Sequence, residues 1–125
     1  MRVLLDTHIL FWWFYEHKRL PPAAFEIVRN ADAVFFSSAS IWEIAIKSRL
    51  GKIRADPREL LEQIRRNDFF ELPVLSKHAL LVAALPMHHN DPFDRLLIAQ
   101  AMSEPLRLVT VDARLQSYGE SVTKI

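Results

Sequence analysis

The chain has 125 residues, half of them hydrophobic and a quarter charged, a balance typical of one globular domain, here residues 1–125. The absence of cysteine excludes disulfides, thiolate metal sites and cysteine nucleophiles, and two glycines are too few for a Walker loop or a GxGxxG fingerprint. Sixteen basic against fifteen acidic residues give a net charge of +1, which alone indicates neither a nucleic-acid binder nor an acidic tail.

Short apolar strands alternate with helical segments along the chain. In chain order we predict a strand at 3–5, helices at 9–15 and 23–30, a strand at 33–36, helices at 40–50 and 57–66, a strand at 69–75 broken at Pro73, helices at 77–85 and 93–102, a strand at 106–111, a short helix at 113–118 and a fifth strand at 121–125. Pro21 and Pro22 open the second helix, and Gly51 stops the third. This alternation predicts a three-layer α/β/α domain with a mostly parallel sheet of four to five strands.

Five acidic residues follow the strands or begin the helices at one edge of the predicted sheet. They are Asp6 after the first strand, Glu43 in the first turn of the helix after the second, Asp91 and Asp94 opening the helix before the fourth, and Asp112 after the fourth. Ligands bind beyond the carboxyl ends of the strands in an open parallel sheet. Carboxylates gathered there repel one another and require raised pKa values or a cation, and their oxygen ligands suit Mg²⁺ or Mn²⁺. Such ions activate water, so the pattern predicts metal-dependent phosphodiester hydrolysis.

Each acid also has a structural interpretation as a helix cap. The run 40–43, Ser-Ile-Trp-Glu, matches a capping box, and the run 91–94, Asp-Pro-Phe-Asp, matches an N-cap followed by proline. Asp6 and Asp112 could cap the helices that follow them, and Glu43 could pair with Lys47 four residues later. The placement of carboxylates at four junctions on the same edge favours the metal site.

The densest basic stretch follows Glu43 and contains no acid: Lys47, Arg49, Lys52 and Arg54. If the five acids share one pocket, the remaining surface carries an excess of positive charge, which suits a polyanionic substrate. The basic stretch could contact phosphates or an acidic partner protein, or it could be a solvated helix end stabilised by the helix dipole.

Four motifs occur in an order that resembles the PIN-domain toxins of the VapC type. They are LLDTH at 4–8, SIWEIAIK at 40–47, DPFDRLLIAQA at 91–101 and VTVD at 109–112. The resemblance implies a Mg²⁺- or Mn²⁺-dependent endoribonuclease, the toxin of a type II toxin–antitoxin pair, neutralised by a small cognate antitoxin and usually homodimeric. By motif, it implies that Asp6, Glu43, Asp94 and Asp112 form the catalytic, metal-binding quartet. Asp91 would be an N-cap or an outer metal ligand, and the RNA substrate could be a tRNA or an rRNA.

Several further residues have two interpretations. His8 follows Asp6 closely enough to approach the pocket or could be structural, and Thr7 and Thr110 could orient carboxylates or only end strands. Adjacent histidine side chains point apart and rarely share one metal ion, so we expect His88 and His89 to lie in a loop that contacts RNA or faces solvent. The apolar run 9–15 could be a partner or dimer surface, or a helix deeply buried in the core.

Two other classes of function fit parts of the pattern. A phosphoacceptor signalling module also places aspartates at strand ends, but Lys124 lies too near the end of the chain to supply its lysine comfortably. A catalytically silent interaction domain would use the acids only as helix caps. The seven-residue apolar run 9–15 is too short to span a membrane, which needs about 20 residues, so we expect a cytoplasmic protein.

Overall fold

Five parallel strands form the central sheet of the computed structural model, which describes residues 1–125. The strands are β1 (Arg2–Leu5), β2 (Ala33–Ser37), β3 (Phe70–Leu72), β4 (Arg107–Thr110) and β5 (Val122–Lys124). Their order across the sheet is β3-β2-β1-β4-β5, and every neighbouring pair is parallel. The predicted parallel sheet is confirmed, and the C-terminal segment pairs as its fifth strand.

Six α-helices connect and cover these strands. They are α1 (Thr7–Tyr15), α2 (Pro22–Asn30), α3 (Ser38–Arg49), α4 (Pro57–Arg66), α5 (Ser76–Ala84) and α6 (Pro92–Ser103). Two 3₁₀ turns, His17–Arg19 and Ala113–Tyr118, follow α1 and β4. Every helix is too short or too polar to cross a bilayer.

Alternating side chains of the strands divide the core into two halves. Val3 and Leu5 of β1 pack with the buried side chains of α1 to α4, whereas Leu4 packs with those of α6 on the opposite face. The sheet therefore lies between one layer of four helices and one of two helices. This arrangement confirms the predicted three-layer α/β/α fold.

The order of the strands reverses at the centre of the sheet, between β1 and β4. The chain builds β2 and β3 on one side of β1, then returns to build β4 and β5 on the other. A crevice forms at the carboxyl ends of strands where the order reverses in this way. Asp6 follows β1 directly and donates its backbone N–H to the carbonyl of Val109 in β4 at 3.0 Å, so the first predicted acid lies at this point.

Helix α3 begins two residues earlier than predicted, and the predicted capping box is wrong. Ser37 caps α3 by accepting from the backbone N–H of Ala39 at 3.0 Å and donates to Gln100 Oε1 at 2.6 Å. Ser40 instead forms a hydrogen bond with the Thr7 hydroxyl at 2.8 Å. Glu43 therefore lies in the second turn of the helix, not the first, and its side chain is free of any capping role.

Smaller differences concern the ends of other elements. β3 ends at Leu72 rather than at residue 75, because Pro73 has no N–H to donate to a neighbouring strand. α1 begins at Thr7 rather than at residue 9, because the Asp6 side chain caps it. Gly51 follows the end of α3 with a φ of 76°, the left-handed conformation expected of a glycine that stops a helix.

Candidate functional site

Asp6 lies at the centre of the acidic cluster and is only 1% exposed. Its Oδ1 accepts from the backbone N–H of His8 at 2.6 Å, and its Oδ2 accepts from the Thr110 hydroxyl. Burial raises the pKa of the Asp6 carboxyl, and the charge of Glu43 acts in the same direction, against the lowering effect of Thr110 and His8. The site therefore holds a buried carboxyl for which an added cation would favour the charged form.

Glu43 projects from the second turn of α3 and is 5% exposed. Its Oε2 accepts from Lys47 Nζ at 2.7 Å, so the predicted pair four residues apart is confirmed. Its Oε1 is buried and has no hydrogen-bond partner. Burying a carboxylate oxygen without a hydrogen-bond partner costs free energy, and this oxygen is therefore available to bind a ligand.

Asp94 occupies the first turn of α6 beside His89. The two side chains form a hydrogen bond between Asp94 Oδ2 and His89 Nε2 at 2.8 Å. Burial raises the pKa of Asp94 to about 6, and the charges of Asp6 and Asp91 contribute to the increase. Asp91 caps α6 by accepting from the backbone N–H groups of Phe93 at 2.9 Å and Asp94 at 3.1 Å, as its N-cap interpretation predicted.

Asp112 follows β4 and caps the 3₁₀ turn behind it. It accepts from the backbone N–H of Arg114 at 2.9 Å, and the Arg114 guanidinium donates to both carboxylate oxygens, with an Nη2–Oδ2 distance of 2.7 Å. These hydrogen bonds hold the pKa of Asp112 below its usual range. One potential ligand atom from each of Asp112, Asp94 and His89 lies within 4.8 Å of the other two.

The structure brings all five predicted acids to one place. Asp6 is close enough to Glu43 and Asp94 for charge interactions, and Asp94 is close enough to Asp91 for the same effect. Asp6, Asp91 and Asp112 are also helix caps, so capping and clustering occur together. The clustered carboxylates and the unpartnered Glu43 oxygen form a donor set that fits Mg²⁺ or Mn²⁺.

His89 lies in a loop as expected, but it does not face solvent, because its side chain lies inside the cluster and is only 8% exposed. Buried Arg95 holds the loop that carries His89. It donates to the carbonyl oxygens of Val82 and Pro86 at 2.9 Å and to the Tyr118 hydroxyl at 3.1 Å. Tyr118 in turn accepts from the backbone N–H of His89 at 3.1 Å. The only sequence signal was the position of His89 five residues before Asp94.

The remaining predicted residues are two threonines and His8 on one hand, and the four basic residues on the other. Thr110 orients the Asp6 carboxylate, whereas Thr7 bonds Ser40, and exposed His8 places Nδ1 3.8 Å from Asp6 Oδ1. Of the four basic residues, Lys47 is paired with Glu43 inside the site. The side chains of the other three, Arg49, Lys52 and Arg54, are exposed and have no ion pair.

Comparison with known proteins identifies one family. Residues 3–121 match the PIN domain family. The chain is 34% identical to Ribonuclease VapC22 of Mycobacterium tuberculosis over 123 residues, which cover 93% of this chain and 91% of that protein.

Solved structures share the fold at low sequence identity. VapBC2 from Rickettsia felis bound to a promoter DNA fragment gives a TM-score of 0.71 at 16% identity, covering 100% of this chain and 98% of that one. A toxin–antitoxin complex from Klebsiella pneumoniae gives 0.68 at 17% identity, with coverages of 98% and 99%. FitAcB from Neisseria gonorrhoeae gives 0.65 at 16% identity, with coverages of 98% and 96%.

Proposed function

The chain belongs to the PIN-domain family, and from this membership we propose that it is a divalent-cation-dependent endoribonuclease, the toxin of a type II toxin–antitoxin pair. The relative Ribonuclease VapC22 supports the activity. The observation that carries the proposal is the cluster of carboxylates around buried Asp6 and Glu43, in which one oxygen of Glu43 is buried without a hydrogen-bond partner and is available to a cation.

Four carboxylates would hold the cation, Mg²⁺ or Mn²⁺: Asp6, Glu43, Asp94 and Asp112. When bound there, the cation would act as a Lewis acid, which would polarise the scissile phosphodiester and lower the pKa of water. Thr110 and the backbone of His8 fix the orientation of Asp6, and Lys47 fixes one oxygen of Glu43. Asp91 acts behind them as the cap that positions the start of α6.

His89 would keep the Asp94 carboxylate in place. With Asp94 ionised, the His89 Nε2–H donates to Oδ2, which fixes the orientation of the carboxylate toward its neighbours. Because the pKa of Asp94 is about 6, this carboxyl is mostly ionised at neutral pH, and protons compete only weakly with a cation for it.

The substrate class follows from charge and from the relatives. A basic surface around an acidic pocket suits RNA, whose scissile phosphate would meet the cation while flanking phosphates contact Arg49, Lys52 and Arg54. We therefore propose a cellular RNA, a tRNA or an rRNA, as the substrate, and the cytoplasm as the compartment where cleavage occurs.

The proposal also includes protein partners. Two of the structural neighbours are described as a VapBC assembly and a toxin–antitoxin complex, which supports a small cognate antitoxin as the partner of this chain. Exposed apolar side chains, among them Trp42, Leu80 and Met87, supply surface for such an antitoxin and for a homodimer of the single domain formed by residues 1–125.

Two alternatives have less support. The family match favours a nuclease over a phosphoacceptor module. A catalytically silent domain would need no cation, so a failure of Mn²⁺ to raise the melting temperature would favour it.

Cleavage of end-labelled total RNA and tRNA tests the proposal. We expect discrete cuts by the purified protein with Mn²⁺ or Mg²⁺, none with EDTA, and none by Asp6→Asn prepared identically. Asp68→Asn is the matched control, because Asp68 is exposed and precedes β3 at the amino edge of the sheet. Cleavage that persists in EDTA or in Asp6→Asn would contradict the proposal.

A further inference from the structure

A groove of about 700 Å³ lies beside the acidic cluster, between α1 and the segment that follows α3. Its size falls within the ~300–1,000 Å³ of small-molecule binding sites. Three aromatic side chains of α1 line it: Phe11, Trp12 and Tyr15. Phe11 and Tyr15 stack with ring centroids 5.2 Å apart.

Positive charge dominates the polar lining of this groove. Arg19, Lys52 and Arg54 line it, against a single acid, Glu16, which is already paired with Arg19 at 3.0 Å. The Arg19 guanidinium lies over the Trp12 ring, 4.9 Å from its centroid. Lys52 and Arg54 have no side-chain partner within the chain, so their charges are available to a bound anion.

The groove adjoins the acidic cluster through two of its lining residues. His8 lines the groove and also donates its backbone N–H to Asp6, and Val111, another lining residue, directly precedes Asp112. A polymer cut at the acids must continue on both sides of the scissile bond. This groove offers a concave surface to the nucleotide next to that bond.

Resting on the proposed function, we propose that the groove binds the unpaired nucleotide adjacent to the scissile phosphate of single-stranded RNA. Its base packs against the aromatic side chains around Trp12, and its phosphates contact Lys52 and Arg54. Aromatic side chains stack only on bases that are free of a duplex, and cations beside them follow the backbone. The mixture of aromatic rings and unpaired cations next to a phosphodiester-cleaving site favours RNA over a protein occupant.

The two cations are tested by the salt dependence of binding. The probe is a fluorescein-labelled oligouridylate of about twelve nucleotides, titrated in EDTA so that nothing is cleaved. Because each neutralised phosphate of a single strand contributes about 0.7 to the slope, Lys52→Ala/Arg54→Ala should reduce the slope of log affinity against log salt by about 1.4. Arg65→Ala/Arg107→Ala is the matched control, since both arginines are exposed and lie away from the groove. An unchanged slope in the groove variant would overturn the proposal and leave the groove to a protein partner.

The stacking contact is tested by removing each side of it in turn. Trp12→Leu should bind the oligouridylate about tenfold more weakly, and Trp12→Phe should bind it nearly as well as the wild type. An abasic oligomer with the same phosphates should bind the wild type about tenfold more weakly and should bind Trp12→Leu no more weakly than the oligouridylate does. Trp12 packs partly on the core, so the abasic oligomer decides the question even if Trp12→Leu does not fold. Equal affinity of the wild type for the two oligomers would overturn the proposal.

Cleavage kinetics separate this inference from the proposed function. The groove variants should cut RNA with a raised KM and an unchanged kcat, because the acids are untouched. If the wild type cuts and the groove variants retain its KM, the groove proposal fails alone. If the wild type does not cut any RNA with Mn²⁺, the proposed function fails, and the groove proposal that rests on it fails as well.

Discussion

At the scale of single residues, Asp94 shows most clearly that ionising a carboxyl of the site is unfavourable in the folded protein. Burial raises the pKa of its carboxyl to about 6, against an ordinary value of 3.8. Between these two pH values the folded protein keeps a proton that the unfolded chain has lost. The free energy of unfolding therefore falls as the pH rises from about 4 to about 6 and regains nothing above that range. This cost is on the order of 3 kcal/mol at neutral pH.

We expect Asp94→Asn to stabilise the cation-free protein. The amide keeps the size of the side chain and can still accept from His89, but it removes a buried charge, so the melting temperature in EDTA at neutral pH should rise by several degrees. The decrease in stability between about pH 4 and pH 6 should become smaller. Thermal melts across this pH range test both effects. A lower melting temperature than the wild type, with Asp68→Asn unchanged, would show that Asp94 is stabilising as a charge.

Arg114 would compete with a bound cation for the Asp112 carboxylate. Its guanidinium donates to both oxygens but is mostly exposed, so the pair adds little to stability. We expect Arg114→Gln to leave the melting temperature nearly unchanged and to lower the Mn²⁺ concentration at half saturation several-fold. Calorimetric titration without RNA measures this constant. Weaker Mn²⁺ binding would mean that Arg114 positions Asp112 for the cation.

Sequence reasoning located the acids but not all of their neighbours. Asp6 and Asp112 could be placed because each directly follows a short apolar strand. His89 could not, because its loop has no periodicity and its position depends on a buried arginine and a tyrosine from a distant turn. Helix α3 is capped by Ser37 and not by the predicted Ser40. The position of Ser37 also depends on its hydrogen bond with Gln100, 63 residues away, which no local pattern reveals.

At the scale of elements, Arg95 connects α6 to the end of α5 and to the loop that carries His89. Its guanidinium is buried and donates only to carbonyl and hydroxyl oxygens, among them those of Val82, Pro86 and Tyr118. Backbone oxygens in such a loop must find donors when they are buried. One side chain therefore supplies hydrogen bonds that secondary structure supplies elsewhere.

We expect Arg95→Met to destabilise the protein by roughly 3 kcal/mol, because it leaves several buried carbonyl oxygens without donors. The same variant should lose Mn²⁺-dependent stabilisation, since His89 no longer has a fixed place beside Asp94. Urea denaturation measures the first effect, and Arg65→Met, on exposed Arg65, is its control. A loss below about 1 kcal/mol would show that water replaces the guanidinium without cost.

Most elements were predicted from hydrophobic pattern, proline and glycine, and errors lie at their ends. The strand near residue 70 was too long by several residues, because the apolar pattern continues through 74 and 75 while the pairing stops at Pro73. The 3₁₀ turn at His17–Arg19 was not predicted at all. Three polar residues carry no periodic signal, and the turn is fixed by Glu16 and Leu20 at its ends.

At the scale of the whole molecule, the topology gathers acids that are far apart in sequence. Asp6 and Asp112 meet because β1 and β4 are neighbours at the point where the strand order reverses, and α3 and α6 bring Glu43 and Asp94 to the same edge. A net charge of +1 hides this division between an acidic crevice and a basic groove beside it. Sequence alone placed the acids at the correct edge but gave no distances between them.

Calorimetric titration of the cation-free protein with Mn²⁺ tests most directly whether these acids form a cation site rather than a set of helix caps. We expect one saturable binding event at about pH 7.5 that is absent in Asp6→Asn, preserved in Asp68→Asn, and much weaker near pH 5, where Asp94 retains its proton. Such binding would also raise the melting temperature as the Mn²⁺ concentration increases. The absence of binding in the folded wild type, or equal binding by Asp6→Asn, would contradict a cation site at the carboxyl edge of the sheet.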